Sequence, residues 1–277
     1  MARLDEDRPH LSPRGRDRLL ERLGLPAPQV GFDGLSAMVR AWLMNIPFHN
    51  IDLLAASLVD CRPLTPEEAI DRCERGLGGP CHVHALGFVS LLEACGFDAD
   101  LCSATIAHEA DHLLVRVSVG SDRCLCDVGN GQPYLVPFRL DRVTEVTHLG
   151  WRIRAEPTDA GIRLRRWSPD LPDGKVVYEA TRKPRRWGDF AEVVARHHAQ
   201  PGFGPFMTGL RAVRIEEHRI DTLRDNLWVT YEPDGYVSRM MHEGALRDLL
   251  LDVFRLEGLP IDDALSAWRN AREGARG

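Results

Sequence analysis

The chain has 277 residues, of which 44% are hydrophobic, and a formal net charge of −6 at pH 7. This length suits one large domain or two to three small ones, and the apolar fraction is typical of a globular protein. The mild negative charge argues against nucleic acid or an anionic membrane as the main partner.

The termini and the cysteines indicate the compartment. Met1–Arg8 contains no apolar run of the kind found in secretory signals, and no stretch has the length of a membrane span. The seven cysteines are an odd number at scattered positions, which is typical of reduced thiols. We therefore expect a cytoplasmic protein without disulfides.

The first 95 residues are predicted to be helical. Apolar residues recur at helical spacing in 13–24 and 34–44, and Pro47 ends the second helix because a proline disfavours helix in the residues before it. Thr65–Glu68 has the pattern of a capping box at a helix start. Residues 81–95 form a third apolar helix that ends at Gly96.

The pattern then changes to short runs of strand type separated by turn signals, spaced as in a meander or a small barrel. These runs are 99–105, 112–119, 123–128, 135–140, 151–155, 162–167 and 175–180, with a hairpin loop at Asp170–Gly174. The remainder is mixed: helices at 190–198, 243–256 and 261–271, and strands at 213–215, 227–231 and 236–240. The sequence thus predicts a helical lobe (1–95), a β lobe (96–185) and an α/β lobe (186–277).

Cys81 is a candidate nucleophile because of its position after Gly78-Gly79-Pro80. Proline suits the first helical position, which sets Cys81 in the first turn of the helix. Free N–H groups and the helix dipole stabilise an anion there, and the thiolate is the reactive form of cysteine. The alternative is a buried structural cysteine after a tight turn.

A cysteine nucleophile needs a base, and the base needs an orienting group. His112 opens one predicted strand and Asp127 lies at the end of the next, so antiparallel pairing across the short turn at 120–122 brings them side by side. A carboxylate bound to Nδ1–H of the imidazole would favour a thiolate–imidazolium pair. Each residue alone is commonly structural, but together with Cys81 they predict a catalytic triad.

A second pattern resembles a zinc site. His108-Glu-Ala-Asp-His112 has the form H-E-x-x-H, which binds zinc only on a helix, whereas here it lies between predicted strands. Cys81-His-Val-His84 and Cys124-Leu-Cys126 lack the paired spacing of structural zinc sites. We expect no metal, and no phosphate loop or dinucleotide fingerprint is present.

Four segments carry a resemblance to a known family. They read I-P-F-H-N-I-D at Ile46–Asp52, G-G-P-C at Gly78–Cys81, H-L-L-V at His112–Val115 and D-V-G-N-G at Asp127–Gly131. In this order they resemble the I-P-F-E-N-L-D, R-G-G-x-C, histidine-strand and D-V-G-F-G motifs of the arylamine N-acetyltransferases. The resemblance is strong from about residue 34 to 138 and weaker onward.

This resemblance implies an α+β fold: an N-terminal helical bundle, a central antiparallel β-barrel and a C-terminal α/β lid. It also implies Cys81, His112 and Asp127 as the triad, no permanently bound cofactor, and acyl-coenzyme A, usually acetyl-coenzyme A, as donor to a small amine. The positions that it implies for substrate contacts are Phe48, Asn130, Gly131, Phe203 and Phe206.

The chain departs from the family motifs at several places. Leu77, Val83 and Ala85 stand where the family has polar residues, and His49 replaces a glutamate. These changes predict that a polar support network has been replaced by apolar groups. Asn130 replaces the aromatic residue of D-V-G-F-G, which predicts a more polar amine acceptor or a bulkier acyl chain.

The sequence therefore predicts a cysteine acyltransferase that moves an acyl group from a thioester to an amine through an acyl-cysteine. The alternative within this class is an amide synthase that takes an acyl chain from an acyl carrier protein. A cysteine hydrolase and a non-catalytic homologue are further alternatives, and the oligomeric state is not predicted.

Overall fold

The computed structural model of the protein describes residues 10–56, 62–200, 202–204 and 206–274. Residues 1–9, 57–61, 201, 205 and 275–277 lie outside the described residues, and Cys61 is among them.

Eight α-helices occur in the described residues: α1 (Pro13–Leu23), α2 (Phe32–Asn45), α3 (Ile51–Ala56), α4 (Pro66–Glu74), α5 (Cys81–Ala94), α6 (Ala191–Ala199), α7 (Leu246–Asp252) and α8 (Ile261–Gly274). Short 3₁₀ helices precede α6 at Trp187–Phe190 and α7 at Glu243–Ala245.

Thirteen strands occur in the same ranges: β1 (Phe48–His49), β2 (Asp98–Thr105), β3 (His112–Val119), β4 (Asp122–Cys126), β5 (Phe138–Arg139), β6 (Thr144–His148), β7 (Trp151–Pro157), β8 (Gly161–Ser168), β9 (Leu171–Thr181), β10 (Arg211–Ile215), β11 (Ile220–Arg224), β12 (Leu227–Glu232) and β13 (Gly235–Met240).

Helix α5 lies at the centre of the molecule. Every residue from Cys81 to Leu92 is buried, which is expected of a helix that is apolar on all sides. Helices α1 and α4 pack on α5, and strands β2 and β3 also contact it. The tryptophan of α2, Trp42, meets Phe88 of α5 edge to face with ring centroids 5.2 Å apart. The first residue of α5 is therefore held between a helical layer and a sheet.

Eight strands in the described residues form one antiparallel sheet in the order β5–β4–β3–β2–β9–β8–β7–β6. Strand β5 contacts β7, so the sheet curls into a nearly closed barrel. The register of its central hairpin pairs Val115 of β3 with Cys126 of β4. The α+β fold with a central antiparallel barrel is thus confirmed.

A second sheet, of five strands in the described part of the chain, has the order β1–β10–β11–β12–β13. Its first strand comes from the N-terminal region, with Phe48 opposite Val213. Helix α3, which follows β1, packs on α8 near the C-terminus. The division at residues 95 and 185 stays a prediction, and residues 48–56 pack against the C-terminal part of the chain.

Several local predictions were wrong. The hairpin loop predicted at Asp170–Gly174 is shorter, because Ser168 pairs with Leu171 and the turn consists of residues 169 and 170. Helix α3 and strands β6 and β11 were not predicted, since each is short and carries polar residues. The helix predicted over 243–256 is α helical only within α7.

Asn50 joins the N-terminal region to the second sheet. Its side chain is fully buried, and its Nδ2 donates to the carbonyl oxygens of Phe206 and Gly209, both at 2.7 Å. Its Oδ1 accepts from the Arg211 N–H at 2.8 Å. The three hydrogen bonds of this amide thus bind the chain that leads into β10 and the first residue of that strand.

We predict that Asn50→Ala lowers the free energy of unfolding by about 3 kcal/mol or more, because the substitution leaves buried backbone groups unsatisfied. Chemical denaturation measures the effect. The matched control is Asn45→Ala, which removes an exposed amide bound to one carbonyl of its own helix and should change stability little. Equal effects of the two substitutions would contradict this role.

Candidate active site

Cys81 is the first residue of α5. Pro80 is the N-cap rather than the first helical residue, and its carbonyl accepts hydrogen bonds from the N–H groups of Val83 and His84. The N–H groups of Cys81 and His82 come before the first of these helical hydrogen bonds, so they have no partner within the helix. The preceding loop is held against β1, because Gly79 forms a parallel bridge with Phe48.

The structure brings His112 and Asp127 into contact beside Cys81. His112 Nε2 lies 3.0 Å from Asp127 Oδ2. The Cys81 side chain is close enough to the same imidazole to help raise its pKa. The carboxylate thus binds Nε2, not Nδ1 as expected. Asp127 Oδ1 also accepts the Gly129 N–H at 3.2 Å. Cys81 is 8% exposed, His112 2% and Asp127 1%, so bulk water barely reaches these groups.

The charge of Asp127 governs the protonation of His112. Burial by itself lowers the pKa of this imidazole, but the charge and hydrogen bond of Asp127, together with Cys81, outweigh burial and raise the pKa to about 10. His112 is therefore a cation at neutral pH.

Two glycines allow the close approach of elements around Cys81. A Cβ at Gly129 would lie 2.8 Å from the Cα of Cys81, so only glycine fits between the two segments. At Gly131, where φ is +68°, a Cβ would lie 2.8 Å from the Phe48 ring. The D-V-G-N-G segment thus passes directly over the start of α5.

The cysteine and histidine open onto a cavity of about 450 Å³. The positions with predicted substrate contacts all line it: Phe48, Asn130, Gly131, Phe203 and Phe206. Phe206 meets Phe48 edge to face at 6.4 Å, so aromatic rings form the wall near Cys81. The Asn130 Oδ1 accepts a weak hydrogen bond from the Tyr134 hydroxyl at 3.4 Å, and Asn130 brings a polar side chain to the cavity wall.

The H-E-x-x-H segment runs from the β2–β3 loop into β3, and its first histidine contacts Phe203. His108 Nε2 lies 2.9 Å from the Phe203 carbonyl oxygen, and the two rings stack 4.2 Å apart. The Asp111 carboxylate accepts the N–H groups of residues 106–108 and holds the loop in a non-helical form. Within the described ranges, no cluster of His, Cys, Asp and Glu is arranged for a metal ion.

The prediction that apolar groups replace the polar network beneath the site was wrong. His49 is fully buried and its Nε2 bonds the Leu77 carbonyl oxygen at 2.7 Å. His84 accepts the Trp42 indole N–H at 3.0 Å and contacts the Pro47 carbonyl oxygen at 3.2 Å. Burial lowers the pKa of both histidines to about 4, so they serve as neutral hydrogen-bonding groups.

Other cavity residues were not found from the sequence. Most come from distant strands and from α6 and have no motif around them: Trp151, Arg166, Lys175, His197 and Tyr231. Gln132, which directly follows the D-V-G-N-G segment, was also missed. The alternation of apolar and polar residues along β7 and β8 could have indicated which positions face into the barrel. It does not show which end of the barrel is open. The helices of the described ranges are all too short or too polar to cross a lipid bilayer.

The raised pKa of His112 predicts a pH-dependent contribution to stability. Its folded pKa of about 10 exceeds the usual 6.5, so the contribution is complete below pH 6.5 and is lost as the pH rises toward 10. In a Cys81→Ala background, adding His112→Gln should cost about 3 kcal/mol at pH 6, because Asp127 loses its buried partner. The difference in melting temperature between the two variants should narrow from pH 6 to pH 10, and a constant difference would contradict the assignment.

Comparison with known proteins places the chain in a family. The family profile described as N-acetyltransferase matches residues 32–260. The arylamine N-acetyltransferase of Nocardia farcinica is similar in structure, with a TM-score of 0.79, 26% identity, and coverage of 95% of this chain and 97% of that one. The Mycobacterium marinum enzyme in complex with CoA has a TM-score of 0.78 at 21% identity, covering 92% and 97% of the two chains.

A further similarity is to proansamycin X synthase of Amycolatopsis mediterranei (strain S699). The two sequences are 26% identical over 194 residues, which cover 66% of this chain and 74% of that relative. The profile match spans well over half of the 277 residues. The chain therefore belongs to the arylamine N-acetyltransferase family.

Proposed function

We propose that the protein transfers an acyl group from a thioester to an amine through an acyl intermediate on Cys81. The observation that carries this proposal is the buried chain of contacts from Cys81 through His112 to Asp127, which opens onto the cavity. Membership of the arylamine N-acetyltransferase family supports it.

In the first step the Cys81 thiolate attacks the thioester carbonyl carbon. The oxyanion that forms lies near the start of α5, where the N–H groups of Cys81 and His82 are available as donors. Collapse breaks the carbon–sulfur bond of the donor, and the departing thiol takes its proton from the His112 imidazolium. Acyl-cysteine and a neutral imidazole remain.

In the second step an amine attacks the acyl-cysteine. Neutral His112 accepts the proton that the amine loses, and the bond from carbon to Cys81 sulfur breaks to restore the thiolate–imidazolium pair. Asp127 keeps the ring oriented and stabilises its charge in each cycle. The product is an amide, and all atoms of donor and acceptor are accounted for.

Acyl-coenzyme A is the proposed donor. The Mycobacterium marinum structure in complex with CoA supports this choice, because the fold is shared over 92% of this chain. No permanently bound cofactor takes part in either step. The acceptor is a small amine that binds in the cavity against the wall formed by the Phe48 and Phe206 rings.

A second candidate is an amide synthase that accepts an acyl chain from a carrier protein. The similarity to proansamycin X synthase favours it. A cavity of about 450 Å³ also offers more room than an acetyl group and a small arylamine need. Both candidates share the acyl-Cys81 intermediate and differ in the donor.

The intermediate can be tested by intact mass spectrometry after incubation with acetyl-coenzyme A and with longer acyl-coenzyme A and acyl-carrier thioesters. We expect one acyl adduct, absent from Cys81→Ala and present in the matched control Cys95→Ala, which changes a half-buried thiol elsewhere. His112→Ala should slow acylation by about 10²–10⁴-fold. An adduct on Cys81→Ala at the normal rate would exclude this nucleophile, and carrier-bound donors alone giving an adduct would favour the amide synthase.

Acceptor choice should depend on Asn130. Asn130 lines the cavity. A simple aniline bound against this amide would leave it without a hydrogen-bond partner, at a cost of about 1–3 kcal/mol, or roughly tenfold to a hundredfold in rate. We predict that Asn130→Phe raises turnover of simple anilines relative to polar amines in steady-state assays. A variant with unchanged relative rates would show that this position does not select the acceptor.

A further inference from the structure

Arg166, Lys175 and Arg224 bring cationic side chains to the wall of the same cavity. They lie on β8, β9 and β11, so the barrel and the second sheet both contribute. We call them the cationic cluster. Arg166 and Lys175 are directly opposite in the antiparallel ladder. Like charges opposite each other destabilise a sheet, so this arrangement needs a compensating negative charge.

The neighbouring part of the same ladder shows the usual arrangement. Arg163 is opposite Glu179, and their side chains form an ion pair at 2.8 Å on the outer face of the barrel. Within the described residues, by contrast, the cationic cluster has no carboxylate at ion-pair distance. The charges that face the cavity are therefore poorly compensated.

Asp170 is the acidic residue that faces the cationic cluster. Its carboxylate already accepts the Tyr231 hydroxyl at 2.9 Å, and the charge of Arg166 acts on it. The charge of Lys175 is in turn disfavoured by partial burial and by Arg166 and Arg224. Together, the cationic cluster and Asp170 therefore give this part of the cavity wall a net positive charge.

Arg166 is held in place at the cavity wall by its neighbours. One Nη donates to Gln132 Oε1 at 2.6 Å, and the guanidinium lies 4.9 Å from the centre of the Trp151 ring. Its Nε is buried and, in the described part of the chain, lacks a hydrogen-bond partner. Gln132 follows the Asn130–Gly131 wall of the site, so the cationic cluster and Cys81 share one continuous cavity.

We propose that the cationic cluster is a subsite for the oxyanion of a substrate, a carboxylate or a phosphate, whose reactive end lies at Cys81. The statement about the reactive end rests on the proposed acyl transfer, whereas anion binding itself does not. Guanidinium groups and ammonium groups bind both oxyanions through charge-assisted hydrogen bonds. The phosphates of a thioester donor and a carboxylate on the amine acceptor are the two sources of such a group.

Direct binding separates the two sources. Calorimetry on Cys81→Ala protein, which needs no chemistry, would compare coenzyme A with pantetheine, which lacks phosphate, and 4-aminobenzoate with aniline, which lacks carboxylate. The double substitution Lys175→Gln and Arg224→Gln in this background should weaken the affinity for one of the two anionic ligands roughly tenfold or more. The affinity for its neutral analogue should stay unchanged. If coenzyme A loses affinity and pantetheine does not, the subsite binds a phosphate of the donor. If 4-aminobenzoate loses affinity and aniline does not, the subsite binds the carboxylate of the acceptor.

Two controls keep the test decisive. Arg163→Gln removes a charge from β8, the strand of Arg166, at a position outside the cavity, and should leave the affinity for both anionic ligands unchanged. Arg166→Gln tests the anchored member, with a thermal melt to establish that the variant is folded. The subsite proposal would be overturned if the double variant bound both anionic ligands as tightly as the Cys81→Ala parent does. It would also be overturned if the double variant lost equal affinity for the anionic ligands and for their neutral analogues. Failure of acyl-Cys81 formation in the unmodified protein would instead overturn the acyl transfer and leave these binding results valid.

Discussion

The rest of the site depends on the buried hydrogen bond between His112 and Asp127. A carboxylate and an imidazole that are 1% and 2% exposed are costly to bury, and their mutual hydrogen bond offsets part of that cost. Their separation of 3.0 Å sets where the ring lies, and hence where the thiol of Cys81 must be. The surrounding fold must hold three chain segments in register to preserve that geometry.

The β3–β4 hairpin and α5 provide this register. Pairing of Val115 with Cys126 leaves His112 at the open end of β3 and Asp127 just beyond β4, at one edge of the sheet. Helix α5 is buried on all sides, so its first residue cannot shift without disturbing the core. Gly129 completes the arrangement. Because glycine has no Cβ, the chain after Asp127 can pass within van der Waals contact of Cys81.

The cavity combines two chemically different walls. Aromatic rings surround the proposed nucleophile, where a dry environment strengthens the electrostatic effect of the helix start and of His112. Another part of the lining is the cationic cluster on β8, β9 and β11. An acyl transferase of this form would hold a charged part of its substrate at the cationic cluster and its reacting carbonyl at Cys81.

The sequence by itself determined the parts that depend on local pattern. Apolar spacing predicted most helices and strands, Thr65–Glu68 formed the predicted capping box, and the short turn at 120–122 was enough to predict that His112 and Asp127 meet. The tertiary structure alone decided the contacts whose partners are backbone atoms or distant strands. His49 and His84 bind the carbonyl oxygens of Leu77 and Pro47, and a carbonyl has no signature in the residue letters. The cationic cluster exists only because barrel closure and the second sheet bring separate strands to one cavity, and such long-range pairing is set by packing of the whole chain rather than by any local segment.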